Sequence, residues 1–511
     1  IDGDSLEEKS LEKAGFKTDD PFTELGIQDY NIIVADITTM TKEALKDIDL
    51  DTKSIVKCKN MFALGMCLFM FNKPMDHPVK YINNKFAKRN PLVAEANVLA
   101  MKAGYNYAHN THAFANTYDV QAADLPKGRY RSINGNQATA WGFIAASEKS
   151  GRPLYCGSYP ITPATVILEE LAKRKDLGVK TVQCEDEIAG ICTTIGAAFG
   201  GNFAVTTTSG PGLSLKSEAM GLAVMTELPI VVVDVQRGGP STGIPTKPEQ
   251  GDLMQALWGR NGECPMIVLA ASTPSDCFHY AFMAGKLAME HMTPVILLSD
   301  GFIANGSQPW KIPSMKDYPE IHPPIVTELA EGETSFMPYR RDEKTLARRW
   351  ALPGTPGLEH RIGGLEKDSL KGSVSHDPHN HEKMIRTRAE KVARVADYIP
   401  RQEVMGDAEG DLLVVGWGGT RGHLETAVNE MRAAGKKVSL CHFNYINPLP
   451  HGVREIFAGF KKIVVCELND GQFANYLRMS FPEFRYEQCN KLQGLPFTRE
   501  ELIEKFNELL K

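Results

Sequence analysis

The chain has no Cys-x-x-Cys pair: its ten cysteines are scattered at positions 58, 67, 156, 184, 192, 264, 277, 441, 466 and 489. Tetrahedral metal sites and iron–sulfur clusters draw on closely spaced cysteines, so this spacing argues against a metal site or cluster here. The thiols read instead as reduced packing residues of a cytoplasmic protein. A basic block is missing too. Lys and Arg number 57 against 63 Asp and Glu, for a net charge of −6, which gives nucleic acid no electrostatic footprint. The longest apolar run, 61–71, is too short to cross a bilayer and reads as a buried helix. No secretory leader is visible. The first residue is Ile1 rather than Met, which predicts that residues are missing before it.

What remains is an ordinary globular composition, 42% hydrophobic and 23% charged over 511 residues. That length suits roughly three domains of about 150 residues each. Residues 1–120 read as an α/β piece, with strands at 30–35 and 54–57 and helices at 61–71 and 91–103. Periodicity vanishes over 121–133, a linker. Residues 134–312 alternate strands (154–156, 180–184, 203–208, 229–235, 266–270, 295–298) with helical runs, which predicts a parallel sheet covered by helices. Residues 313–408 are rich in Pro, Gly and charge and read as an extended connector with local helix at 342–350 and 381–396. Residues 409–511 are a further α/β unit, with strands at 411–416 and 461–466 and an amphipathic helix at 424–433.

In a parallel sheet, ligands bind beyond the carboxyl ends of the strands. Three polar residues follow strands in 134–312. Thr162 precedes Pro163, a helix-start signal, with Thr as N-cap and Pro at the first helical position. The hydroxyl then either caps the helix or shares its positive end with a bound carboxylate. Glu187 closes Cys184-Glu-Asp-Glu187 and leads into the small, apolar run 188–201, so it enters a buried helix and needs a partner; a solvated helix start is the alternative for any one of the three acids. Arg237 opens a Gly- and Pro-rich loop of fixed shape, and Arg is the planar, bidentate partner of carboxylates. A surface ion pair is the simpler alternative. Thr207-Thr-Ser-Gly-Pro-Gly-Leu213 lets backbone approach a ligand but is not a GxxxxGK[ST] phosphate loop. His376, His379 and His381 read as solvated loop histidines. Gly416-Trp-Gly-Gly-Thr-Arg-Gly422 reads as a close-packed turn, since no acidic residue ends a second strand about 20 residues on, as a dinucleotide site requires.

Five stretches stand in order: Tyr159-Pro-Ile-Thr-Pro163, Glu185-Asp-Glu-Ile-Ala189, Thr208-Ser-Gly-Pro-Gly-Leu-Ser-Leu-Lys-Ser-Glu218, Gln236-Arg-Gly-Gly-Pro-Ser-Thr-Gly-Ile-Pro-Thr-Lys247 and Glu467-Leu-Asn-Asp-Gly-Gln472. Together they resemble the 2-oxoacid:ferredoxin oxidoreductases, specifically the α subunit with a fused γ domain. The resemblance implies a multidomain α/β fold: a thiamine-diphosphate-enzyme pyrimidine-type domain at 134–312, a transketolase C-terminal-like domain at 409–511, and a partial γ domain at 1–120 that lacks its glycine-rich start. It implies thiamine diphosphate and coenzyme A as cofactor and co-substrate. Glu187 matches the glutamate that hydrogen-bonds the aminopyrimidine ring, with Tyr159 and Ile161 as further cofactor contacts. Thr162 and Arg237 match the substrate-carboxylate contacts.

The family's Mg²⁺ is held by Gly-Asp-Gly and a following Asn. Here Asp-Gly occurs at 2–3, 300–301 and 470–471 and is never preceded by Gly. The resemblance therefore places Mg²⁺ and a 4Fe-4S cluster on a separate β subunit and makes this chain half of an active site, in a dimer of αβ heterodimers that passes electrons to ferredoxin. The fused layout and the loop after Arg237 resemble the 2-oxoglutarate enzymes, whose reaction also runs in the reductive TCA cycle. Branched-chain or broad 2-oxo acid enzymes share much of that loop. A non-redox thiamine-dependent decarboxylase or transketolase-like subunit, and a non-catalytic scaffold, remain as readings of a different class.

Overall fold

The structure, a computed structural model, describes residues 1–112, 114 and 116–511. It divides into two compact units, Ile1–Lys127 and Gly128–Lys511.

The described part of the first unit is helical. Its two main helices, Lys59–Met70 and Pro91–Asn110, cross where each offers a glycine. A Cβ on Gly65 would stand 2.0 Å from the Met101 carbonyl oxygen, and one on Gly104 would stand 1.9 Å from that of Phe62. Both strands expected in this region are absent. Residues 54–57 fall largely in the helix Thr52–Val56, because the Asp51 side chain accepts the Ser54 N–H at 3.0 Å and caps it, outweighing the β-branched Ile55 and Val56. The stretch 30–35 lies alongside residues 1–3 through a single bridge, Asp2 to Ala35. A β-branched run becomes a strand only where a ladder partner exists.

The strands of the second unit are β1 (Tyr130–Asn134), β2 (Leu154–Ser158), β3 (Lys180–Gln183), β4 (Phe203–Thr208), β5 (Ile230–Gln236), β6 (Ile267–Ala270), β7 (Val295–Asp300), β8 (Ser307–Lys311), β9 (Ile325–Val326), β10 (Trp350–Ala351), β11 (Gly410–Trp417), β12 (Val438–Phe443), β13 (Tyr445–Asn447), β14 (Phe460–Glu467) and β15 (Glu487–Asn490). Seven form one sheet in the order β13-β6-β7-β5-β4-β2-β3. It is parallel apart from β13, which pairs antiparallel with β6. Every residue of β4, β5 and β7 is buried, as a sheet covered on both faces requires. Val231, Val233 and Val235 face a core shared with the helices Gly135–Ser150 and Cys277–His291. Ile230 and Val232 face the opposite core, which takes in Val415, Cys441 and Val465 of a four-stranded parallel sheet, β12-β11-β14-β15.

Strand order places the chain reversal at β2, flanked by β3 on one side and β4 on the other. The register of β5 against β7 ends with Gln236 opposite Asp300, so both strands finish at the same edge. The segment 313–377 crosses the unit with little regular structure. The helix expected at 342–350 is replaced by a turn: the Asp342 carboxylate accepts the N–H groups of Lys344 and Thr345, and Leu346 sits at φ +56. Arg341 on one side of the turn pairs with the Glu227 carboxylate, and Arg348 on the other donates to the main-chain oxygens of Thr226 and Glu227. The helix expected at 381–396 is present as Pro378–Arg394, followed by a 3-10 turn. It carries His379 and His381, and His381 pairs with Glu366, so these two are helical rather than loop histidines. All ten cysteines are free, but Cys67 and Cys192 are exposed rather than packed. The glycine-rich turn after β11 is close-packed: a Cβ on Gly419 would stand 2.0 Å from an Asp300 oxygen. Among the described residues no helix is long and apolar enough to cross a membrane.

Candidate active site

Glu187 is the first residue of the helix Glu187–Phe199, directly after β3. The three acids before and at this helix start separate cleanly. Glu185 and Asp186 are exposed, and Asp186 is the cap, accepting the Ala189 N–H at 2.7 Å. Glu187 is 7% exposed, and no described residue donates a hydrogen bond to its carboxylate. Its main-chain oxygen accepts from the Lys216 ammonium at 2.8 Å. Lys216 is fully buried, and burial lowers its pKa to about 8 against the opposing pull of Glu187.

The turn after β4 presses against this acid. A Cβ on Gly212 would meet the Glu187 Cγ at 2.8 Å and the Thr208 hydroxyl at 1.9 Å. Ser158, at the end of β2, ties that turn down by accepting the Thr207 N–H at 2.7 Å. The Ser209 hydroxyl is buried and has no partner among the described residues.

Arg237 leaves β5 and is 7% exposed. Its Nη1 donates to the Thr162 main-chain oxygen at 2.6 Å, while its Nε finds no acceptor among the described residues. The loop behind it has a fixed shape, as its Gly and Pro content suggested. The Gly238 N–H reaches the Lys247 oxygen at 2.9 Å, and the Ile244 N–H reaches the Gly238 oxygen at 2.8 Å. Thr162 is exposed and does not cap the following helix. The Thr162–Pro163 peptide is cis, and the helix begins at Thr165 with Ala164 at the cap position and no side-chain bond. The Thr165 N–H goes to the Ile161 oxygen instead. Thr162 thus touches Arg237 through its backbone, and its hydroxyl does not cap the helix.

Arg237 opens onto a cleft of about 690 Å³, lined with Gly210, Ser214, Gly239, Glu249, Asp252 and Gln255 among others. Glu187, Thr162, Tyr159 and Ile161 lie outside that lining. Tyr159 is exposed, and Ile161 packs in part against the core. The fold therefore joins Arg237 to Thr162 and joins Glu187 to the glycine turn, without direct contact between the pairs.

Three features were not singled out in the sequence. Asp234 is a carboxylate inside the apolar run of β5, an anomaly that could have flagged it. It is fully buried and neither oxygen meets a donor among the described residues. Lys216 is a lysine in a small, apolar helix–turn–helix stretch. Gln250 links the Arg237 loop to the C-terminal segment: its N–H donates to Leu468 O at 2.9 Å, its Oε1 accepts the Leu468 N–H at 3.0 Å, and its Nε2 reaches Trp417 O at 2.8 Å. Asn469 and Gln472 add bonds to the oxygens of Gln250 and Gly251 at 2.8 and 2.7 Å. The stretch 467–472 is thus a buttress for the loop that carries Arg237.

A family model described as pyruvate flavodoxin/ferredoxin oxidoreductase, thiamine diphosphate-binding, matches residues 149–376. The chain is 48% identical over 505 residues to the 2-oxoglutarate oxidoreductase subunit KorA of Mycobacterium tuberculosis, covering 98% of this chain and 76% of that protein. It is 34% identical over 376 residues to the 2-oxoglutarate synthase subunit KorA of Methanothermobacter marburgensis, covering 73% and 97%. A solved structure of 2-oxoglutarate:ferredoxin oxidoreductase from Magnetococcus marinus, with 2-oxoglutarate, coenzyme A and succinyl-CoA bound, superposes with a TM-score of 0.83 at 33% identity, over 94% of this chain and 80% of that one. On that similarity, which runs through both units, the chain belongs to the 2-oxoacid:ferredoxin oxidoreductase family as an α-type subunit of the KorA kind.

Proposed function

We propose that this chain is the α subunit of a 2-oxoglutarate:ferredoxin oxidoreductase. With a β subunit it converts 2-oxoglutarate and coenzyme A reversibly to succinyl-CoA and CO2 and passes an electron pair, one electron at a time, to ferredoxin. The observation that carries this reading is Arg237: a buried guanidinium, braced by Thr162 O, that opens onto the cleft beyond the carboxyl ends of β4 and β5. It is a ready partner for the carboxylate of a 2-oxo acid. Substrate choice follows the KorA relatives; a branched-chain or broader 2-oxo acid enzyme is the second reading, since the loop 237–247 alone does not specify the distal group.

Glu187 fits the cofactor side of the site. It is a buried acceptor that no described residue satisfies, next to a glycine where backbone comes closest, as a ring nitrogen donor would require. Thiamine diphosphate, when bound, supplies a nucleophilic carbon for the 2-oxo carbonyl and an electron sink for loss of the carboxyl group. Glu187 holds the proton balance of the aminopyrimidine, Lys216 fixes the helix start that positions Glu187, and Arg237 orients the substrate, with Thr162 bracing it. Tyr159 and Ile161, which follow β2, are further cofactor contacts in this reading.

Mg²⁺ and the 4Fe-4S cluster belong to the β subunit in this reading, which carries Gly-Asp-Gly and clustered cysteines. The working assembly is a dimer of αβ heterodimers in the cytoplasm, where coenzyme A and ferredoxin are supplied. Coexpression with the β subunit tests it. The complex should reduce a viologen dye only with 2-oxoglutarate and coenzyme A together, and much faster than with pyruvate or 2-oxoisovalerate. Decarboxylation that needs neither coenzyme A nor an electron acceptor would instead mark a non-redox decarboxylase.

A further inference from the structure

The Asp234 and Asp252 side chains interact directly, and both feel the charge of Arg237. Asp234 lies in β5, one turn of the pleat before the strand ends, and Asp252 lines the cleft. Both Asp234 oxygens and the Oδ2 of Asp252 are sealed from solvent and meet no N–H or O–H donor among the described residues. The backbone closes tightly over them: a Cβ on Gly210 would stand 2.8 Å from each Asp252 oxygen. Asp234 is fully buried and Asp252 half-buried at the cleft; carboxylates in such contact resist double ionisation, and a shared proton supplies a donor to the sealed oxygens.

We propose that Asp234 and Asp252 share one proton and act as positioning residues that set the charge of the cleft, countering Arg237 when the cleft is empty and taking up a second proton when a substrate carboxylate occupies it. The proposal rests on the reading of the cleft as a 2-oxo acid site.

The surrounding charges are few. Arg237 follows β5, and Glu249 comes from the loop that also carries Asp252. Asp300 ends the neighbouring β7 but is engaged with the N–H groups of Phe302 and Ile303. The packed helices Gly210–Leu215 and Leu253–Trp258 bring no titratable side chain. Burial lifts Asp252 to about 6, with the hydrogen bond from Asp234 and the charge of Arg237 opposing and Glu249 assisting. Burial also raises Asp234 well above its usual value, with the charge and hydrogen bond of Asp252 assisting. The pair therefore holds one proton at neutral pH in the empty site and sets one negative charge against Arg237, with Glu249 adding a second at the cleft wall. An incoming carboxylate adds a further negative charge there, and protonation of the pair removes one.

The signature is a Michaelis constant that rises with pH where a fully ionised substrate should show none; carboxylates of a small acid are ionised above pH about 6. In the assembled αβ complex, the KM for 2-oxoglutarate should rise by up to about tenfold per pH unit between roughly pH 6.5 and 8, the slope for uptake of one proton on binding. The isosteric double variant Asp234→Asn with Asp252→Asn should flatten that slope. Because this variant can fail to assemble, a measurement on the unaltered complex stands beside it. Glutarate, which has no carbonyl to react, is titrated calorimetrically near neutral pH in two buffers of different ionisation enthalpy. Uptake approaching one proton per site supports the pair. No uptake, or a slope that survives in the double variant, overturns it while leaving the site reading intact. If Arg237→Met leaves KM unchanged, the site reading itself fails, and the pair with it.

Discussion

The ammonium of Lys216 lies 2.8 Å from the main-chain oxygen of Glu187, its one hydrogen-bond acceptor among the described residues. A fully buried cation with a single acceptor is costly, and its pKa is depressed to about 8 by that burial. The compensating benefit is geometric, since the bond fixes the first residue of the helix at whose head the free carboxylate sits. Lys216→Met removes the charge and the bond while keeping length and apolar contact. Stability should change by less than about 2 kcal/mol, because relief of desolvation offsets the lost charged hydrogen bond. Turnover of the αβ complex should fall at least about tenfold, the cost expected when a proton-handling group loses its position. A purely structural lysine would show the reverse pattern, a lower melting temperature with turnover preserved.

Glu187→Gln keeps shape and burial and removes the acceptor charge. Turnover of the complex should fall on the order of 10²-fold or more, with the fold retained by circular dichroism. Glu185→Gln and Asp186→Asn serve as controls. Both residues are exposed, and Asp186→Asn still offers an oxygen to the Ala189 N–H, so each should stay close to the unaltered enzyme. Near-normal decarboxylation by Glu187→Gln would remove it from the chemistry.

A second buried charge cluster holds the connector to the sheet. Glu227 accepts a bidentate pair from Arg341 at 2.6 and 2.7 Å and a further bond from Lys391. Burial pushes its carboxyl up, but Lys391 and Arg341 outweigh that and hold it well below its ordinary value of 4.5. A carboxylate depressed in the folded state contributes stability that is complete above about pH 4.5 and is lost as pH falls toward the lower folded value. Glu227→Gln should therefore destabilise by about 3–5 kcal/mol at neutral pH, since two cations lose their counter-charge. The gap in melting temperature between variant and parent should narrow as the pH is lowered below about 4. A gap that stays constant would show that the pair contributes nothing through charge.

Thr162 separates backbone from side chain. Its oxygen braces Arg237, and any residue supplies that oxygen; its hydroxyl caps nothing. Thr162→Ala should leave the melting temperature unchanged within about 0.5 kcal/mol equivalent, as for an exposed substitution away from a cap. A rise in KM without loss of stability would assign the hydroxyl to substrate.

The centre of the sheet was legible because β4, β5 and β7 are buried on both faces, whereas β13, supplied from the C-terminal segment, was not expected. Continuous apolar runs such as 203–208 and 229–235 admit little else, and the observed strands fall within a residue or two of those expected. The helix at 91–103 was legible from its Pro start and period, though it extends to Asn110. What failed was decided by single polar atoms or distant partners. Asp51 turned 54–57 into helix, Asp342 turned 342–350 into a turn, and the bond from the Thr165 N–H to the Ile161 oxygen sets the helix start past Thr162. In the site, Glu187 and Arg237 stood out by residue type and by their place after strands. Lys216 and Asp234 did not, because what distinguishes them is deep burial of a charged group, with a single acceptor for Lys216 and no donor for Asp234 among the described residues, and burial of a single residue is set by elements remote in sequence. The buttressing of Gln250 by 468–472 links positions more than two hundred residues apart and has no local signature.

The central claim, that Arg237 holds the carboxylate next to the reacting carbonyl, is tested most directly by the KM values of the assembled complex for 2-oxoglutarate and pyruvate, before and after Arg237→Met. Loss of a charge-assisted hydrogen bond of about 1.5–3 kcal/mol corresponds to a factor of roughly 10–150. The account requires both values to rise by a factor in that range, with the ratio of 2-oxoglutarate to pyruvate activity nearly unchanged and the KM for coenzyme A little altered. A collapse of the 2-oxoglutarate activity with pyruvate untouched would place Arg237 at the distal carboxylate and contradict the orientation proposed for the substrate.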